Sequence, residues 1–208
     1  MVLARSLSIY FAQKDDSYFA LKVYPEGETH FKAFQNEVAI LNKLECRGLV
    51  PIAETAAHVP LALDAEHPTT AHIIAMPFIE NGDLFEWVSK HGCLTEEVAR
   101  YFGKKLLETL RYLHSQHVIH RDIKPENILL DAHYEPLLLD FGLSIDSRHR
   151  PHNFVGDLRY AAPEVLKHIE HTHKSEIYSF GILLFYLLTA HCPFLHAKVS
   201  DPNYRLLV

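Results

Sequence analysis

Several stretches of the chain carry a readable hydrophobic period. Phe34, Val38, Leu41 and Leu44 recur every three or four residues and predict a helix over 31–44, with Glu37 one turn before Leu41 on the same side. Val98, Phe102, Leu106, Leu110 and Leu113 repeat in the same way farther on. Thr95 precedes them as N-cap, with Glu96 and Glu97 at the helix's positive end. The run 177–190 is apolar on every side; it is too short to cross a bilayer and suits a helix enclosed by protein. Strand-like segments lie at 18–24, at 72–76 (ended by Pro77), and at 128–130 and 137–139, the last two split by the turn residues Asp131-Ala132-His133. Residues 45–72 carry Pro51, Pro60 and Pro68 and predict no regular element.

Composition changes this picture little. The 208 residues, 48% apolar and 22% charged, suffice for one domain or for two small lobes sharing a cleft. A net charge of −6 gives no electrostatic reason to expect nucleic acid as partner. Cys46, Cys93 and Cys192 are far apart, which points to a reducing, cytoplasmic or nuclear setting. No signal peptide or membrane span is expected. The 16 histidines are scattered, without an HExxH spacing, and their expected place is solvated surface.

The chemistry sits between His120 and Gly142, HRDIKPENILLDAHYEPLLLDFG. Three polar clusters, His120-Arg121-Asp122, Lys124 with Asn127, and Asp140-Phe141-Gly142, flank a hairpin that would bring Asp122 and Asp140 to one site. This stretch resembles the catalytic and metal-binding loops of eukaryotic-type protein kinases, and Lys124-Pro125-Glu126 looks like the serine/threonine branch. The resemblance implies ATP and Mg²⁺ as cofactors and a protein hydroxyl as substrate. It makes Asp122 the group that accepts the hydroxyl proton, Lys124 a γ-phosphate contact, and Asn127 and Asp140 the magnesium ligands. Lys22, on one strand face with Ala20, becomes the lysine of the α- and β-phosphates, paired with Glu37. Ile9, Ala20, Met76 (in the gatekeeper place) and Leu129 would surround the adenine. The Pro77 carbonyl and the Ile79 N–H would hold its edge. Asp83 would accept from a ribose hydroxyl or cap the following helix, and both can hold. His120, Phe141 and Leu41 match the family's apolar spine.

The implied fold is α+β and two-lobed: residues 1–76 a small antiparallel sheet plus the helix called αC, 77–82 the hinge, and 83–208 a mainly helical lobe incomplete after the helix called αF. Departures accompany the likeness. Val2, Ala4 and Leu7 stand where the glycine-rich loop has its glycines, and the family's first strand is expected to be missing. Asp157 stands where threonine bridges the aspartate and lysine, and is expected to repel Asp122 and compete for Lys124. Glu176 replaces a bracing aspartate, and the arginine partner of Glu164 is expected to be missing. Asn153 lies in the regulatory phosphosite place, so activity is expected not to depend on loop phosphorylation. The apolar run 177–190 is expected to want a covering partner. The alternative to an active kinase is a catalytically weak, kinase-like nucleotide-binding or regulatory module.

Overall fold

The computed structural model describes residues 8–61, 69–149 and 155–206. Val2, Ala4, Leu7 and Asn153 therefore lie outside the described residues. The chain forms two compact units. One comprises Met1–Lys43 with Val50–Phe78, the other Leu44–Leu49 with Ile79–Val208. Leu44–Leu49, expected in the first lobe, packs instead in the second unit.

In the first unit, β1 (Ser8–Lys14) and β2 (Ser17–Pro25) form a hairpin around Asp15, whose φ of 54° makes the tight turn. β3 (Glu54–Leu61) and β4 (Thr69–Pro77) complete an antiparallel sheet of order β1-β2-β4-β3. β3 corrects the expectation that 45–72 carries no regular element. β3 was hidden because the register shifts between Ala56 and Val59, where His58 takes φ 54°, and the bulge breaks the period of two. Helix α1 (Glu28–Leu41) ends a turn earlier than expected. It buries Phe34, Glu37 and Ile40 rather than the stripe through Val38 and Leu44. Phe34 packs edge-on against Tyr24 at 5.9 Å, and Phe31 lies 4.7 Å from the ring of His72.

In the second unit, α2 (Leu84–His91) is capped by Asp83, whose side chain accepts from Glu86 N at 2.8 Å. α3 (Glu96–Ser115) starts at the expected Thr95 cap and buries Phe102, Leu106, Leu110 and Leu113. Ala99 rather than Val98 opens that stripe. β5 (Val118–Ile119) pairs with β8 (Ile145–Asp146), and β6 (Ile128–Leu130) pairs with β7 (Pro136–Leu138), one residue earlier than predicted. Short α4 (Pro163–Leu166) leads to α5 (His173–Thr189), opened by a Thr172–Ser175 capping box. α5 buries Phe180, Ile182, Leu183, Tyr186 and Leu187, while Ile177 (45%), Phe185 (43%) and Leu188 (41%) remain exposed. With α3 it walls an apolar groove of about 470 Å³, floored by Ala99, Gly103, Leu107, Phe180, Leu184 and Leu188. α6 (Pro202–Arg205) follows. No helix among the described residues is long and apolar enough to cross a membrane. The three cysteines are free. Solvated surface is not the fate of every histidine, for His72, His120 and His171 are buried.

Candidate active site

The first unit supplies a charged pair inside an apolar layer. Strand pairing sets Ile9 opposite Lys22, Phe11 opposite Ala20, and Ala20 opposite Met76. Ile9, Ala20, Lys22 and Met76 thus share one face of the sheet, whereas Pro77, opposite Phe19, falls on the other. On that face Lys22 Nζ lies 2.8 Å and 2.7 Å from the two oxygens of Glu37 on α1. Lys22 and Glu37 are 4% and 1% exposed, so the pair offsets charge that burial makes costly. Tyr24, two residues along, donates its hydroxyl to Glu37 Oε2, and its ring sits 5.4 Å from the Lys22 ammonium. Sequence reading missed Tyr24; a tyrosine at i+2 from the lysine, on the same strand face, was the available signal.

In the second unit the chain after β5 is pinned from three sides. Glu176 Oε1 accepts from the amides of His120 (2.7 Å) and Arg121 (3.0 Å), so the glutamate braces this loop. Its second oxygen meets His114 Nε2 on α3 at 2.6 Å. His120 Nε2 lies 2.9 Å from Leu139 O, and its ring meets Phe141 edge-on at 4.8 Å. Arg121 takes φ 69° and donates through Nε to Leu143 O at 2.6 Å. Burial pulls its guanidinium pKa down to about 10.

These ties fix Asp122. Its Oδ2 accepts from Lys124 Nζ at 2.8 Å and from Asn127 Nδ2 at 2.9 Å, and Asn127 Nδ2 also bonds Asp122 O at 2.8 Å. Oδ1 is buried and has no hydrogen-bond partner among the described residues. Burial works against the Lys124 ammonium, yet the Asp122 hydrogen bond and the charges of Asp122, Glu126 and Asp157 outweigh it and raise its pKa. Lys124 stays on Asp122, and the expected competition from Asp157 is met by Arg159, which sequence reading did not single out. Burial opposes the charged Asp157 carboxyl, but hydrogen bonds from Arg159 prevail and hold it below the usual range. Gly156 (φ 94°) passes so close that a Cβ there would stand 2.6 Å from Arg121 O.

Asp140 follows directly on Leu139, whose amide bonds Asn127 O at 2.9 Å, so the hairpin joins the two loops as expected. It takes φ 67° and accepts from Gly142 N at 3.1 Å. Asp83 and Leu129 form an isolated bridge, and Leu130 N bonds Gly82 O at 3.0 Å. Burial raises the Asp83 pKa, against the opposing bond from Glu86 N. Lys22, Glu37, Ile9, Ala20, Met76 and Pro77 belong to the first unit; Ile79, Asp83, Asp122, Lys124, Asn127, Leu129 and Asp140 belong to the second.

A family model described as protein kinase domain matches residues 8–206. The chain belongs to the protein kinase family. Relatives of this kinase include ribosomal protein S6 kinase alpha-1 of Rattus norvegicus, 42% identical over 124 residues, which is 58% of this chain and 17% of that protein. Ribosomal protein S6 kinase alpha-2 of Homo sapiens has the same identity and the same shares. Ribosomal protein S6 kinase 2 alpha of Gallus gallus is 41% identical over 193 residues, 85% of this chain and 25% of that protein. The kinase chain thus spans a quarter or less of the length of these relatives.

Proposed function

We propose that the kinase transfers the γ-phosphate of Mg-ATP to a serine or threonine hydroxyl of a protein. The observation that carries this is Asp122, with one carboxylate oxygen held twice and the other buried and without a hydrogen-bond partner among the described residues. An oxygen so placed can accept the proton of an incoming hydroxyl, while Lys124 beside it steadies charge on the transferred group. Mg-ATP supplies the phosphoryl group and the metal charge that offsets it. The donor set suits magnesium, which is content with one or two protein oxygens and completes its shell from phosphate and water. Asn127 spends its amide nitrogen on Asp122, which would leave its carbonyl oxygen to serve with the Asp140 carboxylate as a ligand. Lys22, held by Glu37, would align the α- and β-phosphates; Ile9, Ala20, Met76 and Leu129 would bound the adenine; Pro77 O and Ile79 N–H would hold its edge. Asp83 caps α2 with Oδ1, which leaves Oδ2 to accept from a ribose hydroxyl. The reducing setting fits three free cysteines. The apolar groove between α3 and α5 supports a protein partner that covers it. Transfer of labelled γ-phosphate to a generic protein substrate tests the reading. Asp122→Asn should lower it by about a hundredfold or more, and equal rates in the two proteins would favour a regulatory, nucleotide-binding module instead.

A further inference from the structure

The carboxylate at position 157 is answered within two residues. Arg159 Nε lies 3.1 Å from Asp157 Oδ1 and Nη2 lies 2.6 Å from Oδ2, while the Arg159 amide adds a bond to Oδ1 at 2.9 Å. A guanidinium fork set on a carboxylate in this way is directional as well as strong. Nη2 also reaches Glu126 Oε1 at 3.2 Å, in the turn between Lys124 and Asn127, and the guanidinium lies over the Tyr160 ring at 5.6 Å. Three carboxylates, Asp122, Glu126 and Asp157, act on Lys124. Arg159 draws two of them to itself and leaves the third to the lysine. Without Arg159, one ammonium would serve three carboxylates, and an unmatched Asp157 would draw Lys124 away from Asp122.

We propose that Arg159 is a positioning residue for phosphoryl transfer: by occupying Asp157 it keeps Lys124 on Asp122, and so makes an acid workable at position 157. This rests on the kinase reading above. Arg159 acts through Asp157 and Lys124 and not on the reacting atoms. An arginine that merely tied the 156–160 segment to its neighbours would be needed whatever stood at 157. A positioning arginine is needed only while 157 is an acid.

That difference sets the experiment. Arg159→Met should lower kcat roughly tenfold or more, the rate equivalent of misplacing one hydrogen bond to a charged group. The KM for ATP should change much less than kcat, since Lys22 and the residues proposed to bound the adenine are untouched. Adding Asp157→Thr should restore most of kcat. A single variant as fast as the parent, or a double variant as slow as the single, overturns the proposal. A second readout needs no turnover: the rate at which acetic anhydride acylates Lys124, followed by mass spectrometry. Arg159→Met should slow it, because the ammonium is then shared by three carboxylates, and Asp157→Thr should reverse the change; equal rates in all three proteins overturn the proposal. If the parent transfers no more phosphate than Asp122→Asn, the kinase reading falls while the acylation series still decides the role of Arg159. Should Arg159→Met not fold, Asp157→Asn with Arg159→Met removes both charges together. Folding with parental acylation supports the proposal, and failure to fold shows a structural role and overturns it.

Discussion

At the scale of single residues, the two units rest on charges that cannot be removed one at a time. Lys22→Met would leave Glu37 buried with, among the described residues, the Tyr24 hydroxyl as its hydrogen-bond donor. Such a break costs about 3–5 kcal/mol, and Lys22→Met with Glu37→Met should cost clearly less than the first change alone. Urea unfolding of the four proteins of that cycle measures the difference. Gly156→Ala forces a Cβ to 2.6 Å from Arg121 O at a φ of 94°. Strain of this kind costs about 1–3 kcal/mol, and because Arg121 adjoins Asp122 the loss of phosphoryl transfer should exceed what the lowered melting temperature accounts for. Contacts within 120–142 were legible in the sequence because their spacing is local, as with Asn127 five positions from Asp122. His114 and Glu176 are 62 positions apart, and Arg159 and Glu126 are 33 apart, so only the fold reveals those partners.

Elements were legible wherever burial followed a clean period. α3 and the 128–138 hairpin were readable because one side is apolar throughout. α1 was placed but its buried stripe was not, since a glutamate occupies the central buried position. β3 was lost to the bulge at His58. The start of α5 is a test of local chemistry: Thr172→Ala removes the acceptor of Ser175 N, and losing such a cap costs about 0.5–2 kcal/mol. Thermal unfolding would register it, with Thr172→Ser showing little change. The same turn carries a pH dependence. His173 stacks on His114 at 4.2 Å, and burial, then the neighbouring histidine, lowers its pKa. The unfolded chain, with an ordinary imidazole, binds the proton more readily, so stability is intact above the ordinary histidine value and falls as pH drops through it. Urea midpoints at pH 7.5 and 5.5 should differ more for the parent than for His173→Phe, which keeps a ring in the stack.

At the scale of the whole molecule, the two units were expected, but the expected border placed all of 1–76 in the first. The α3–α5 groove presents Leu107 and Leu188, each 41% exposed. Leu107→Gln with Leu188→Gln should reduce the binding of a hydrophobic dye and slow aggregation, with little change in the melting temperature, since neither side chain is deeply buried. The short segment Leu44–Leu49 has the wider consequence. Gly48 O accepts from Leu138 N at 2.8 Å, Leu49 bridges Leu138, and Glu45 N bonds the Tyr112 hydroxyl at 2.8 Å. The polypeptide therefore passes from one unit to the other at 43–44, at 49–50 and again at 78–79. Cutting the gene at the last of these would not release a finished second unit. It would deliver one with a strand edge stripped and a hexapeptide-sized vacancy beside β7, which a synthetic peptide of residues 44–49 should refill.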